Sequence, residues 1–227
     1  GHEMRTPLTY IRGYTELALE DIPSMSPKLL EEFLQSISQG ADRLTNLADD
    51  FLTLVRLDTG QTEKEFQQLV EVCPDIGAIV ARTVSQYEPQ AAAQGVALEF
   101  MVKPKLPPVQ LCEPLFVDAL SRLIENAIKF CHAKGKRVMV SAQQAQDRLE
   151  IAVIDEGPGI PPDEIPHLFE RFRQIDREKM EQQGVGLGLP ITERLIHLHG
   201  GEITVKSTAG LGSTFTIKLP LAKTPDH

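Results

Sequence analysis

Several short stretches of this 227-residue sequence carry side chains in combinations that can do chemistry. The first is His2-Glu3-Met4-Arg5-Thr6-Pro7-Leu8. At 3.6 residues per turn His2 shares a stripe with Thr6, Thr9, Gly13, Glu16 and Glu20, so its imidazole is expected to face water. Met4, Leu8, Ile11, Ala18 and Ile22 fall on the other side. Pro7 removes one backbone donor and crowds the carbonyl of Glu3, which predicts a bend beside the histidine. No second His or Cys stands at helical spacing, which argues against a metal site. An exposed imidazole next to a carboxylate suits a nucleophile with an orienting base. The plain alternative is a solvated histidine near a terminus.

The remaining candidates lie in the second half. In Leu149-Ile151-Val153-Asp155 a carboxylate falls on the same face of a strand as three apolar residues, and a buried carboxylate needs a partner. Gly157-Pro158-Gly159 follows and lets a ligand approach the backbone, so Asp155 could accept from the amine of a purine base. An aspartate capping its own turn is the simpler reading. On an apolar helix ending near Cys131, Asn126 and Lys129 sit one turn apart, with Arg122 and Asp118 at the two preceding turns. Asn126 can offer an oxygen to a hydrated Mg²⁺ and Lys129 a point charge to phosphate. A solvated stripe with Asp118 and Arg122 paired at i,i+4 is the alternative. Gly184-Val185-Gly186-Leu187-Gly188-Leu189 opens another helix, whose first amides are donors for an anion. Its spacing is not the dinucleotide G-x-G-x-x-G, and no G-K-S/T occurs. Between the glycine clusters, residues 161–183 are polar and charged, with Arg171, Arg173, Arg177 and Lys179, which predicts a lid anchored by Phe169 and Phe172.

These residues need elements to hold them. Residues 2–21 read as one helix, and the breakers at 21–27 as a turn with Ser26 as N-cap and Pro27 at the first helical position. A second helix over about 28–57 carries Leu30, Leu34, Ile37, Ala41, Leu44, Ala48, Phe51 and Val55 at alternating spacings of four and three, flanked by Phe33, Leu47 and Leu54. So broad a stripe predicts that two antiparallel hairpins associate into a four-helix bundle, hence a homodimer. The alternative is that the hairpin packs on its own downstream unit. Residues 58–64 are polar and unpatterned and read as a linker, dividing the chain into units 1–64 and 65–227. The second unit reads as strands at 66–72, 96–102, 109–111, 137–142, 149–155, 202–207 and 214–219, with helices at 74–93, 114–131 and 187–199. That pattern is α+β rather than a doubly wound sheet.

The net charge of −9 and pI near 5.2 argue against nucleic acid as a partner. Cys73, Cys112 and Cys131 lack metal spacing and are consistent with a reducing compartment. No apolar run approaches the roughly 20 residues of a membrane helix. The chain starts without Met inside a helical pattern, so it reads as an excised piece of a longer protein. It reads as a cytoplasmic domain whose upstream sensor is absent from this sequence, and a membrane anchor there would not be visible in it.

Taken in order, the motifs resemble the catalytic core of sensor histidine kinases of two-component systems, over essentially the whole chain. His2 to Leu8 resembles the phosphoacceptor box, Leu123-Ile124-Glu125-Asn126-Ala127-Ile128-Lys129-Phe130 the asparagine box, and Asp155-Glu156-Gly157-Pro158-Gly159-Ile160 the first glycine box. Leu168-Phe169-Glu170-Arg171-Phe172 resembles the phenylalanine box and Gly184 to Leu189 the second glycine box. His199-Gly200-Gly201 and Gly212-Ser213-Thr214-Phe215 are similar to closing signatures. The resemblance implies an antiparallel dimerisation and phosphoacceptor hairpin followed by a Bergerat-type α/β sandwich that binds ATP and Mg²⁺, the type shared with gyrase-like ATPases. It implies Asn126 as Mg²⁺ ligand, Asp155 as reader of the adenine amine, and Lys129 as a phosphate contact. Phe130 would border the base and Thr214 would join the nucleotide contacts. Gly157, Gly159, Gly184, Gly186 and Gly188 would shape the pocket and its lid hinges. It further implies attack of His2 on the γ-phosphorus with Glu3 taking the proton, transfer to an aspartate of a response regulator receiver domain, and a Thr6-positioned water for removing that phosphate again. The sequence departs from the pattern at three positions. Arg122 stands where the family usually has another asparagine, and where related ATPases carry a water-activating glutamate, which argues against a gyrase-like hydrolase. Val185 replaces a commoner threonine. Gln174 holds a lid position that is often arginine, so Arg173 or Arg177 is expected to contact phosphate.

Overall fold

The computed structural model describes residues 2–21, 25–103, 105–131, 137–174 and 186–222, and excludes the side chains of residues 2–4 and 21. Helices α1 (His2–Asp21) and α2 (Pro27–Asp58) form the expected hairpin, α1 continuing through Pro7. Ser26 caps α2 as its sequence predicts, its hydroxyl accepting from the Leu29 amide at 3.2 Å with Pro27 at the first turn. The helices touch closely at Gly40, where a Cβ would lie 2.8 Å from Ile11 Cγ1 and 3.4 Å from the Pro7 carbonyl oxygen. The stripe of Thr6, Thr9, Glu16 and Glu20 is exposed. On α2 the residues buried by the rest of the chain are Gly40, Leu47, Leu54 and Leu57. Leu34, Phe51 and Val55 of the heptad seam stay exposed, at 56%, 53% and 41%.

The second unit is a five-stranded sheet in the order β2-β4-β5-β7-β6, formed by Ala97–Val102, Arg137–Ala145, Arg148–Asp155, Gly212–Pro220 and Glu202–Thr208. Only β2 and β4 pair in parallel; the other neighbours are antiparallel. Helices α4 (Ile76–Ala93), α5 (Glu113–Cys131) and α6 (Gly188–Leu198) make the second layer. The α+β architecture expected from the sequence is therefore present. Along β5 burial alternates strictly, with Leu149, Ile151, Val153 and Asp155 inside, because side chains of a strand alternate between faces. Helix α5 buries Leu115, Phe116, Ala119, Leu120, Leu123, Ile124, Ala127, Ile128 and Cys131 between the sheet and its neighbours. One continuous apolar cluster joins this core to Leu47, Leu54 and Leu57 of α2, so part of the hairpin does pack on the downstream unit.

One expected element is different. Residues 66–72 are not a strand: α3 runs over Gln61–Leu69, and only Glu71–Cys73 forms a short strand, β1, antiparallel to β3 (Val109–Leu111). The apolar residues Phe66, Val70 and Val72 imitate a two-residue period, yet the packing follows the helical spacing. Thr62 is buried, and one turn on, Phe66 meets the His199 ring edge-on at 5.0 Å. Helix α3 thus spans the position expected to divide the units.

Candidate active site

Helix α5 carries its polar residues in a stripe, Asp118, Ser121, Arg122, Glu125, Asn126 and Lys129, opposite the face buried on the sheet. That stripe forms one wall of a cavity of about 790 Å³. Asp155 at the end of β5, Gly159 and Ile160 beyond it, Phe130, and the entry to α6 with Gly186 and Gly188 form other walls. Asn126 and Asp155 thus share one chamber, as the sequence reading requires.

Asp155 is buried, and its Oδ1 accepts from the Gly157 amide at 2.8 Å. Burial pushes its carboxyl above the usual carboxylate value, against the pull of the Gly157 and Ser213 amides. Lys129 is pushed down to about 8, chiefly by burial and secondarily by the charge of Arg43. Its ammonium lies 5.2 Å from the centre of the Phe130 ring. Two glycines are structural requirements. At Gly159, with φ +68°, a Cβ would stand 2.0 Å from the Thr208 carbonyl oxygen. At Gly186, with φ +75°, it would stand 2.4 Å from that of Arg173. Gly188 starts α6 with the Asn126 amide nitrogen 3.9 Å from where its Cβ would be.

Other expected site residues fare differently. Thr214 is not on the wall of this chamber; it lines an adjoining recess of about 530 Å³ with Lys206, Ser207 and Leu211, which shares Asp155 and Ser213 with the chamber. Arg173 borders the chamber, but its guanidinium is paired with Glu164, Nη2 to Oε2 at 2.9 Å. Of the expected lid anchors, Phe169 is half-buried while Phe172 is 59% exposed, in a positive-φ turn at +65°. Leu168, the first residue of the phenylalanine box and not one of the expected anchors, is the buried one. Thr6 is exposed on α1. His2 and Glu3 start α1. Their side chains, together with Arg177, Lys179 and Gly184, lie outside the described residues.

Sequence reasoning missed the chamber's outer rim. Asn46, Asp49 and Asp50 of α2, Tyr87 and Gln90 of α4, and Gln94 at its C-cap line it. Tyr87 donates to Glu125 Oε1 at 2.9 Å. Arg122 makes the expected pair with Asp118, Nε to Oδ1 at 2.9 Å, and also bonds Asp50 across to the hairpin. A second cross-link holds the end of α2. Asp58, expected in a linker, accepts two bonds from Arg171, at 2.7 and 3.0 Å, and one from Arg194. These guanidinium bonds hold its carboxyl down at about 2.

Residues 1–60 match the family described as "His Kinase A (phospho-acceptor) domain", and residues 113–223 match "Histidine kinase-, DNA gyrase B-, and HSP90-like ATPase". The chain belongs to the sensor histidine kinases. It is 30% identical over 220 residues to the alginate biosynthesis sensor protein KinB of Pseudomonas aeruginosa, covering 97% of this chain and 36% of that protein. The full-length structure of ShkA in complex with AMPPNP is similar at a TM-score of 0.69 and 28% identity, over 98% of this chain and 45% of that one. The histidine kinase ThkA, solved in complex with the response regulator protein TrrA, shares the fold at a TM-score of 0.74 and 19% identity, over 97% of this chain and 59% of that one. The kinase chain spans 36%, 29% and 41% of the length of three curated relatives it matches. Among the described residues no helix is long and apolar enough to cross a membrane.

Proposed function

We propose that this chain is the catalytic core of a sensor histidine kinase that phosphorylates its own His2 from Mg-ATP and passes the phosphoryl group to an aspartate of a response regulator receiver domain. The observation that carries this reading is the common chamber of Asn126, Lys129 and Asp155, in a chain whose α1 begins with the phosphoacceptor-like histidine. We assign residues 1–64 to the dimerising hairpin and 65–227 to the nucleotide unit. The exposed Leu34, Phe51 and Val55 supply the face on which two hairpins would close a bundle. A sensor domain is expected to lie outside this chain, which spans 36% of the length of KinB.

In this reading Asp155 accepts from the exocyclic amine of adenine, Phe130 borders the base, and Lys129 meets phosphate. Gly184, Gly186 and Gly188 leave room for the phosphates at the entry to α6. Arg173, on the border of the chamber, would meet phosphate by exchanging its Glu164 partner, while Thr214, off the chamber wall, is left without a nucleotide contact. Among the described residues no cluster of three or more His, Cys, Asp or Glu side chains could cage a metal. A lone amide oxygen at Asn126 instead suits a cation that arrives with phosphate oxygens and water. When bound, Mg²⁺ would neutralise charge on the phosphates.

The His2 imidazole attacks the γ-phosphorus, forming the N–P bond as the bond to the ADP oxygen breaks, and Glu3 takes the imidazole proton. The P–N bond later breaks as a receiver aspartate oxygen takes the phosphorus. Thr6 would orient the water that hydrolyses that acyl phosphate, and a Thr6→Ala variant should lose this phosphatase activity while keeping the kinase. The test of the whole reading is incubation with γ-labelled ATP and Mg²⁺. Acid-labile, alkali-stable label should appear on the wild type and not on His2→Gln. Nucleotide binding with no label would leave a nucleotide-binding dimeric signalling scaffold.

A further inference from the structure

Arg122 does something that the asparagine usual at this position could not. Its side chain reaches out of α5, past Asp118, to the Asp50 carboxylate on α2. The contact is not a loose surface pair, because the Arg122 and Asp50 side chains are only 16% and 21% exposed. It also sits at a telling level of the hairpin. Two antiparallel helices that touch at Gly40 and at Pro7 and Ile11 bring the start of α1 level with about residues 45–49 of α2, at about 1.5 Å rise per residue on each. Of the α2 wall of the chamber, Asn46 and Asp49 lie in that segment and Asp50 follows it directly. The pair formed by Arg171 and Arg194 with Asp58 holds α2 roughly two turns further on, so the two cross-links together fix an orientation and not merely a point of contact.

We propose that Arg122 is a positioning residue for phosphoryl transfer, holding the nucleotide chamber through Asp50 against the segment of α2 that lies level with His2. This rests on the proposed function, since it concerns the approach of the same nucleotide to the same histidine. Arg122 acts through Asp50 and not by gripping the base or its phosphates. Its loss therefore slows transfer while leaving nucleotide affinity largely in place, because small misplacements of reacting groups cost rate steeply.

The experiment measures the rate of His2 labelling at saturating γ-labelled ATP and Mg²⁺. Beside it run the dissociation constant of a methylanthraniloyl-labelled ATP and the melting temperature, for wild type, Arg122→Gln, Asp50→Asn, the double variant and Asp118→Asn. Each of the first two substitutions should lower the labelling rate about tenfold. The Asp50→Asn dissociation constant should stay within about twofold of wild type, measured at a temperature below the melting transition of both proteins, since loss of one partner of a largely buried pair is expected to lower that transition. The double variant should be no slower than the slower single one, because both remove one contact. Asp118→Asn, which leaves the Arg122–Asp50 bond in place, should slow labelling less than Asp50→Asn. An Asp50→Asn protein as fast as wild type or faster overturns the proposal, as does additivity of the two single effects. A wild type that binds the nucleotide analogue but takes no label overturns the functional reading, and this proposal with it.

Discussion

The hairpin and the nucleotide unit solve the same problem in opposite ways. In the nucleotide unit α5 and β5 send nearly all their apolar side chains into one closed core, with Phe116, Leu120, Ile124, Ile128, Leu149 and Ile151 inaccessible to water. The hairpin has two helices and no sheet. It buries Leu47, Leu54 and Leu57 against its neighbour and leaves Leu17, Leu34, Phe51, Leu52 and Val55 in water. The difference is geometric: a sheet covered by three helices has a complete inner face, while two antiparallel helices can offer each other only part of a broad stripe. The unit proposed to hold a nucleotide is finished within one chain, and the unit proposed to assemble with a second copy is left unfinished.

The sharpest way to break this contrast is to remove one large apolar side chain from each region. Phe116→Ala should destabilise the nucleotide unit by about 3–5 kcal/mol in chemical denaturation, the usual cost of emptying an aromatic site in a closed core. Phe51→Ala should change that unfolding free energy by no more than about 0.5 kcal/mol, while weakening self-association in sedimentation equilibrium. A comparable loss of stability at both positions would mean that the two regions are not built differently.

How far the sequence revealed this contrast depends on the range of the interactions involved. The strand alternation that buries Asp155, the Ser26 cap and the polar stripe of α5 are local patterns, and each was readable from a few neighbours. Phe66 misled because apolar residues at 66, 70 and 72 satisfy a strand period, while its true partner, His199, lies far along the chain. The Arg122–Asp50 bond spans 72 residues, and although Arg122 stands out as a departure from the family pattern, nothing local names Asp50 as its partner. Asp58 reads as linker for the same reason, since its two arginines come from beyond residue 170. Leu168, and not Phe172, anchors the expected lid because the chain turns through positive φ at Phe172 and carries that ring outward.

Two titrations sharpen the same contrast within the nucleotide unit. His199 is buried between Phe66 and Phe116; its Nδ1 faces the Leu195 carbonyl and its Nε2 accepts from the Cys112 amide. Burial lowers its pKa below the ordinary 6.5, so the folded state favours the neutral ring. The unfolded chain binds the proton more readily, so this contribution is present above pH 6.5 and is lost as pH falls through the folded value. Denaturation midpoints at pH 7.5 and 5.5 should therefore converge in a His199→Gln variant relative to wild type. The Lys129 effect is smaller and appears in binding. With its ammonium held at about 8, the unliganded protein loses that charge as pH rises through this value, and nucleotide affinity should fall over the same range. Lys129→Met should flatten the affinity profile between pH 7 and 9; an unchanged profile would exclude Lys129 as a phosphate contact.

The central claim is that Asp155 and Asn126 line a chamber that takes a purine nucleotide, and titration of wild type and Asp155→Asn with methylanthraniloyl-labelled ATP, displaced by unlabelled ATP, tests it most directly. Replacing the acceptor carboxylate by an amide should weaken binding at least tenfold, about 1.4 kcal/mol or more, with the fold intact by circular dichroism. Equal affinity in the two proteins, or no displaceable binding to the wild type, would contradict the account.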